Sequence, residues 1–160
     1  MGHAAPGTSF FGLRMGGPFT DVKLLPINVR GLSAPNKCKQ LWRYLAPQEP
    51  NIIFLQETHL LGEHCSRMSH PRFPIQLWAW APSKMSGIAT LFRKGFYTQL
   101  LKLQHDPDDR LVMMERGSRP ITFLNLYASN QAQDAFIRRT LKEHLNTAVE
   151  DVVVGCDFNL

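Results

Sequence analysis

The run Ile52-Ile53-Phe54-Leu55 is followed within two residues by a carboxylate, Glu57. Four consecutive apolar residues offer no polar face, so residues 51–56 read as a short strand buried in a sheet. A carboxylate at the mouth of such a strand is costly unless it is paired or holds a cation. Magnesium suits this arrangement, because it binds through one or two carboxylates and keeps its waters. A solvated strand-end glutamate is the other reading of Glu57 taken alone.

Around this strand the chain alternates in type. Residues 22–28 read as a strand, in which Pro26 lacks a ladder donor. Residues 36–45 are helical, with Cys38, Leu41, Trp42 and Leu45 on one face. Pro47 and Pro50 are expected to stop that helix. Residues 61–74 read as irregular. Strands follow at 75–81, 87–92, 98–103, 111–115 and 121–127, with turns at 82–86, 94–95, 106–109 and 117–120. Residues 134–148 form a helix with Ile137, Leu141, Leu145 and Ala148 as its apolar stripe and Arg138, Arg139, Lys142 and Glu143 as its wet face. A last strand, 152–154, runs into Gly155-Cys156-Asp157-Phe158-Asn159. The order strand–helix–strand, several strands, then helix–strand implies a mixed sheet with helices on one face. Residues 1–20, rich in Gly, Pro and small residues, read as a disordered leader, with the Phe10-Phe11-Gly12-Leu13 patch as a non-homologous extension or a docking motif.

The 160 residues suit one domain, and 44% apolar with 19% charged residues excludes wholesale disorder. Eighteen basic against thirteen acidic residues give a charge of +5, compatible with a polyanionic partner. Three cysteines, Cys38, Cys65 and Cys156, fit neither a disulfide framework nor a zinc pattern, so a reducing compartment is expected. No apolar run approaches the roughly 20 residues that span a bilayer. No secretory or other targeting signal is visible.

Several polar groups fall at strand ends, where sheet-based sites are built. They are Asn28, Glu57, Tyr127 and the pair Asp157 and Asn159. If the last strand continues, Asp157 and Asn159 share one side and Phe158 takes the other. A carboxylate beside an amide can orient a water and a phosphate oxygen together; the pair fits a turn equally well. His59 lies two residues after Glu57, on its side if that strand continues. The other histidines show no ligand or dyad spacing. Gly-rich phosphate loops, nucleophile elbows and HExxH are absent from the sequence.

Four short motifs occur in order: Asn28-Val29-Arg30-Gly31-Leu32, Leu55-Gln56-Glu57-Thr58-His59-Leu60, Asn125-Leu126-Tyr127-Ala128-Ser129-Asn130 and Gly155-Cys156-Asp157-Phe158-Asn159. Together they resemble the endonuclease/exonuclease/phosphatase superfamily. Within it, the Gln56–Leu60 form resembles the apurinic-type endonuclease domain that begins the reverse-transcriptase polyprotein of non-LTR (LINE-type) retrotransposons. The resemblance covers about residues 22–160. It implies an α+β fold, the DNase I-like four-layer α/β/β/α sandwich, with only the N-terminal two-thirds present as a partial domain over 21–160. It also implies hydrolysis of DNA phosphodiester bonds with Mg2+, for which Mn2+ substitutes. By the resemblance, Glu57 is the metal ligand and Asn28 beside it orients the metal shell. Asp157 orients or activates the attacking water, Asn159 contacts the scissile phosphate, and Tyr127 and Asn130 line the phosphate pocket. The implied partners are DNA and a downstream reverse-transcriptase domain in a longer parent protein, with no membrane. The implied location is intracellular, with access to the nucleus.

The chain departs from the family pattern in places. Ser129 stands where the family has Pro, and Cys156 where it has a second Gly. A later segment of the family supplies a second Asp pair and a Ser-Asp-His motif, whereas only Leu160 follows Asn159 here. No upstream histidine maps onto that role, so impaired turnover is expected. The second sheet is expected to be largely missing. At about 25 cal/mol per Å², exposing several hundred Å² forfeits on the order of 10 kcal/mol, comparable to total domain stability. A marginal, aggregation-prone or partner-dependent chain is therefore expected. The other readings are an inactive retrotransposon remnant, a phosphatase or sphingomyelinase of the same superfamily, and a non-catalytic nucleic-acid-binding module.

Overall fold

The computed structural model of the protein describes residues 11–13, 22–80, 87–96, 103–105, 111–116, 121–127, 133–145 and 151–157. Period-two alternation along the buried strands builds the architecture. Strands β1 (Phe11–Leu13), β2 (Val22–Asn28), β3 (Ile52–Gln56), β4 (Ile75–Ala79) and β5 (Ile88–Phe92) form one sheet in the order β1-β2-β3-β5-β4. Strands β6 (Leu103–His105), β7 (Leu111–Arg116), β8 (Ile121–Tyr127) and β9 (Asp151–Asp157) form a second sheet in sequential order. Helices α1 (Pro35–Leu45) and α2 (Gln133–Leu145) flank them.

One side of the first sheet, through Leu25, Ile53, Leu55 and Leu91, packs on Cys38, Leu41 and Leu45 of α1. The opposite side, through Val22, Leu24, Ile52, Phe54 and Phe92, meets Ile121, Phe123 and Val153 of the second sheet. The far side of that sheet, through Leu124, Leu126 and Val152, receives Leu141 of α2. The layers therefore run α1, sheet, sheet, α2: the DNase I-like sandwich. The all-apolar run is explained directly, because β3 is covered on both faces and every one of its residues is buried.

The structure corrects several expectations. The second sheet is present with four strands, so the inner face of the first sheet is covered rather than left in water. The penalty of about 10 kcal/mol computed for a single bare sheet does not apply to it. Phe11–Leu13, assigned to the leader, is an edge strand antiparallel to β2; three residues are too few for periodicity to register. The α-helix ends at Leu45, ahead of Pro47 as expected, but a 3-10 turn, Ala46–Gln48, follows it and carries Pro47 near its start. That turn ends at Glu49, which is left-handed at φ 47°. Gly62–Met68, read as irregular, is 3-10 helical. The buried residues of α2 include Phe136 and Thr140, with Ile137 and Leu141 half-buried, so its inward face is turned from the expected stripe. α2 is described to Leu145, and Ala148 of the expected stripe lies outside the described residues.

Pro26 is tolerated for a visible reason. The Val29 N–H donates to the Gln56 carbonyl at 3.0 Å, which directs the N–H groups of odd-numbered β2 residues toward β3. Pro26 therefore faces the other side, beyond Leu24, the last residue paired with β1. The expected strand 98–103 lies outside the described residues except for Leu103, which opens β6. The rest of the leader and the turns at 82–86, 106–109 and 117–120 lie outside them too. Among the described residues no helix is long and apolar enough to cross a membrane.

Candidate active site

β2 and β3 run parallel, with Asn28 paired to Gln56, so Asn28 and Glu57 emerge at the same end of the first sheet. β8 and β9 also run parallel, with Tyr127 paired to Asp157. Buried hydrogen bonds bring those two ends together. The Gln56 amide donates to Asn125 Oδ1 at 3.3 Å and to the Leu126 carbonyl at 3.4 Å. Asn125 in turn donates to the carbonyls of Ala89 at 2.9 Å and Leu55 at 3.4 Å and to Thr90 Oγ1 at 3.3 Å. Strands β3, β5 and β8 are thereby tied across the two sheets, one residue behind Glu57 and two behind Tyr127. Both amides are buried, and such groups are retained when their partners are satisfied.

Beyond the strand ends the backbone is locked. The Gly31 N–H donates to the Glu57 carbonyl and the Leu32 N–H to the Thr58 carbonyl, each at 2.7 Å, and the Thr58 N–H reaches the Gly87 carbonyl at 3.0 Å. Glu57 and His59 are held left-handed at φ 53° and 52°, and Arg30 at 46°. Each such residue costs on the order of 1 kcal/mol, and conformations of this kind collect at functional sites. Gly31, at φ 83°, is also pressed by His59, whose Nδ1 would lie 2.8 Å from a Cβ there. The chain leaves the extended region at Glu57, so the strand does not continue to place His59 on the same side.

Asn28 Oδ1 accepts the Arg30 N–H at 2.9 Å, which fixes its amide at the rim. Glu57 is half-buried, and its carboxylate makes no hydrogen bond or ion pair among the described residues. Tyr127 is half-buried against Ala79 and Ile88. Asp157 closes β9. Asn130 and Asn159 lie outside the described residues. Beside the rim, a cavity of about 170 Å³ is lined by Ser33, His59, His64 and Arg67, among others. Arg67 donates to the Ser33 carbonyl at 3.0 Å, and Ser33 Oγ to the His59 carbonyl at 3.0 Å. The buried His59 Nε2 has no hydrogen-bond partner among the described residues.

The sequence reading quotes Gln56 and Asn125 within motifs but misses what they do. The signal is present: each is an amide at an inward position of a mostly apolar strand. The cationic cavity leaves no such trace, because its residues come from two separate loops.

No group of three or more His, Cys, Asp or Glu side chains converges among the described residues. A one- or two-carboxylate site for a hard cation does not require one. The Glu57 carboxylate, unpartnered among the described residues and beside the fixed Asn28 amide, fits such a cation.

No protein-family model matches the chain. Solved structures do. The AP endonuclease LMAP from Leishmania major aligns at TM-score 0.73 and 17% identity over 87% of this chain and 55% of its own. TDP2 from Caenorhabditis elegans aligns at 0.66 and 19% over 87% and 47%. The catalytic domain of APE2 from Xenopus laevis aligns at 0.66 and 15% over 86% and 58%. The chain spans about half the length of these structures, which share the endonuclease/exonuclease/phosphatase, DNase I-like fold.

Proposed function

We propose that this chain, built on the DNase I-like fold, is the N-terminal part of a divalent-metal-dependent DNA endonuclease. One observation carries the reading: a carboxylate without a partner among the described residues, Glu57, is held on a left-handed backbone beside the fixed Asn28 amide. Proteins keep such strain where a site depends on it.

Glu57 and Asn28 would hold Mg2+ or Mn2+, and the bound ion would supply charge neutralisation at the phosphate undergoing hydrolysis. Tyr127 lines the phosphate pocket, with Asn130 following it in sequence. Asp157 orients or activates the attacking water, and Asn159 contacts the scissile phosphate. Arg67 adds positive charge beside the rim, and the net charge of +5 favours a polyanionic substrate. DNA is proposed as that substrate because AP endonucleases are among the structures with this fold. The Gln56–Leu60 motif supports a further proposal, an origin in a LINE-type retrotransposon, with a reverse-transcriptase domain in a longer parent protein and access to the nucleus. Low turnover is proposed for these 160 residues by themselves, since none of the six histidines matches the family's acid–base histidine.

Nicking of supercoiled plasmid by the purified chain, with Mg2+ and with EDTA, tests the reading beside a Glu57→Ala control. Removing a metal ligand worth several kcal/mol should lower the rate by roughly 10²-fold or more. Mg2+-independent nicking, or nicking indifferent to Glu57→Ala, overturns it. The absence of nicking in both proteins favours the inactive-remnant reading.

A further inference from the structure

Pro50 precedes β3, Phe73 lies just before β4, and Arg93 follows β5, so these residues gather at the end of the first sheet opposite Asn28 and Glu57. A cavity of about 270 Å³ opens there. One wall is aromatic. Trp42 stacks on His70 with ring centres 4.2 Å apart and 27° between planes, and on Phe73 at 5.5 Å and 27°. The buried Trp42 indole N–H finds no acceptor among the described residues.

The remaining wall is rich in donors. Arg93 reaches the Glu49 carbonyl at 3.3 Å and its carboxylate at 3.7 Å. The Arg72 guanidinium has no ion pair among the described residues. The lining thus sets two guanidinium groups against one carboxylate. His70 Nδ1 accepts the Arg72 backbone N–H at 3.2 Å, which places the proton of the neutral ring on Nε2 as another donor. Burial, and then the Arg72 charge, hold the His70 imidazole below its ordinary value and keep it neutral.

We propose that this cavity binds a nucleotide, with the base against the Trp42, His70 and Phe73 rings and the phosphate on Arg72 and Arg93. An aromatic wall suits a base, which has a π-face whatever its identity. The guanidinium fork matches phosphate geometry. The volume falls just below that of ordinary drug-sized pockets, which suits a base inside with its phosphate at the mouth. The nucleotide can be free or one unit of a strand.

The test is a thermal-shift and fluorescence titration of the full chain with AMP, adenosine, inorganic phosphate and a short oligodeoxyadenylate. AMP should bind saturably and raise the melting temperature. Adenosine and phosphate should each bind at least roughly tenfold more weakly, as expected for loss of a charge-assisted contact or of the stacking face. Arg72→Gln should weaken AMP by a similar factor while melting like wild type without ligand, and Glu57→Ala should bind AMP unchanged. Tighter binding of the oligonucleotide than of AMP identifies a strand as the source; the reverse identifies the free nucleotide. Absence of saturation by either at millimolar concentration, or equal AMP binding by Arg72→Gln, overturns the proposal. Because neither readout uses nicking, the result is separable from the fate of the proposed catalytic site.

Discussion

At Gly155 the absence of a side chain is a packing requirement, since a Cβ there would overlap the Phe54 ring, itself wholly buried between the sheets. Interior rings sit in close-packed surroundings and cannot retreat freely. Gly155→Ala should therefore destabilise the protein by about 1–3 kcal/mol, read as a lower urea midpoint with an unchanged slope. An unchanged midpoint would show that the sheets separate to admit a methyl group. His70 allows a second test. Its folded pKa lies below the ordinary 6.5, mainly through burial and then through Arg72. The unfolded chain therefore binds the proton more readily, and stability rises with pH across that window. The contribution is intact above pH 6.5 and is lost as pH falls through the lowered value. Between about pH 7.5 and about pH 5.5, the wild-type melting temperature should fall further than that of His70→Phe, which keeps the stack on Trp42. Equal falls would remove His70 from the account. Neither residue's role was legible in the sequence, because Gly155 meets Phe54 and His70 stacks on Trp42, both distant along the chain.

Strands and helices were more readable where one physical signal dominated. The four-residue apolar run predicted β3, and the face of Cys38, Leu41 and Leu45 predicted α1, because burial there follows a simple period. The 3-10 segment Gly62–Met68 escaped because only Met68 is buried, leaving no stripe to detect. The assignment of strands to two sheets also escaped, since alternation reveals a covered face but not what covers it. The inter-sheet clamp is the element-scale result of that pairing. Asn125→Leu would leave the Gln56 amide without Oδ1 as an acceptor and free the Ala89 carbonyl. Leaving a buried polar group unpaired costs about 1–3 kcal/mol. Gln56→Leu should cost a similar amount, and the double variant should cost less than the sum by at least about 0.5 kcal/mol. Strict additivity would mean that the two amides do not act as a unit.

At the scale of the molecule, the question is whether the two sheets unfold together. They share one apolar layer, in which Phe92 meets Phe123 edge to face with ring centres 6.2 Å apart and an interplanar angle of 77°. The sequence-based argument for a marginal chain rested on an uncovered sheet; the shared layer replaces that premise with mutual dependence. The three tryptophans provide a selective probe. Trp42 lies on α1, Trp78 on β4 and Trp80 just after it, so all three report on the first sheet and its helix. Far-UV circular dichroism reports on both sheets. Two-state unfolding requires the two signals to share a midpoint. Phe123 lies in the second sheet, and Phe123→Ala should cost about 3–5 kcal/mol through lost contacts and a residual cavity. If the sandwich is one cooperative unit, that substitution lowers the tryptophan midpoint as far as the dichroism midpoint. If the tryptophan midpoint stays at its wild-type position while the dichroism midpoint falls, the first sheet and α1 fold without the second.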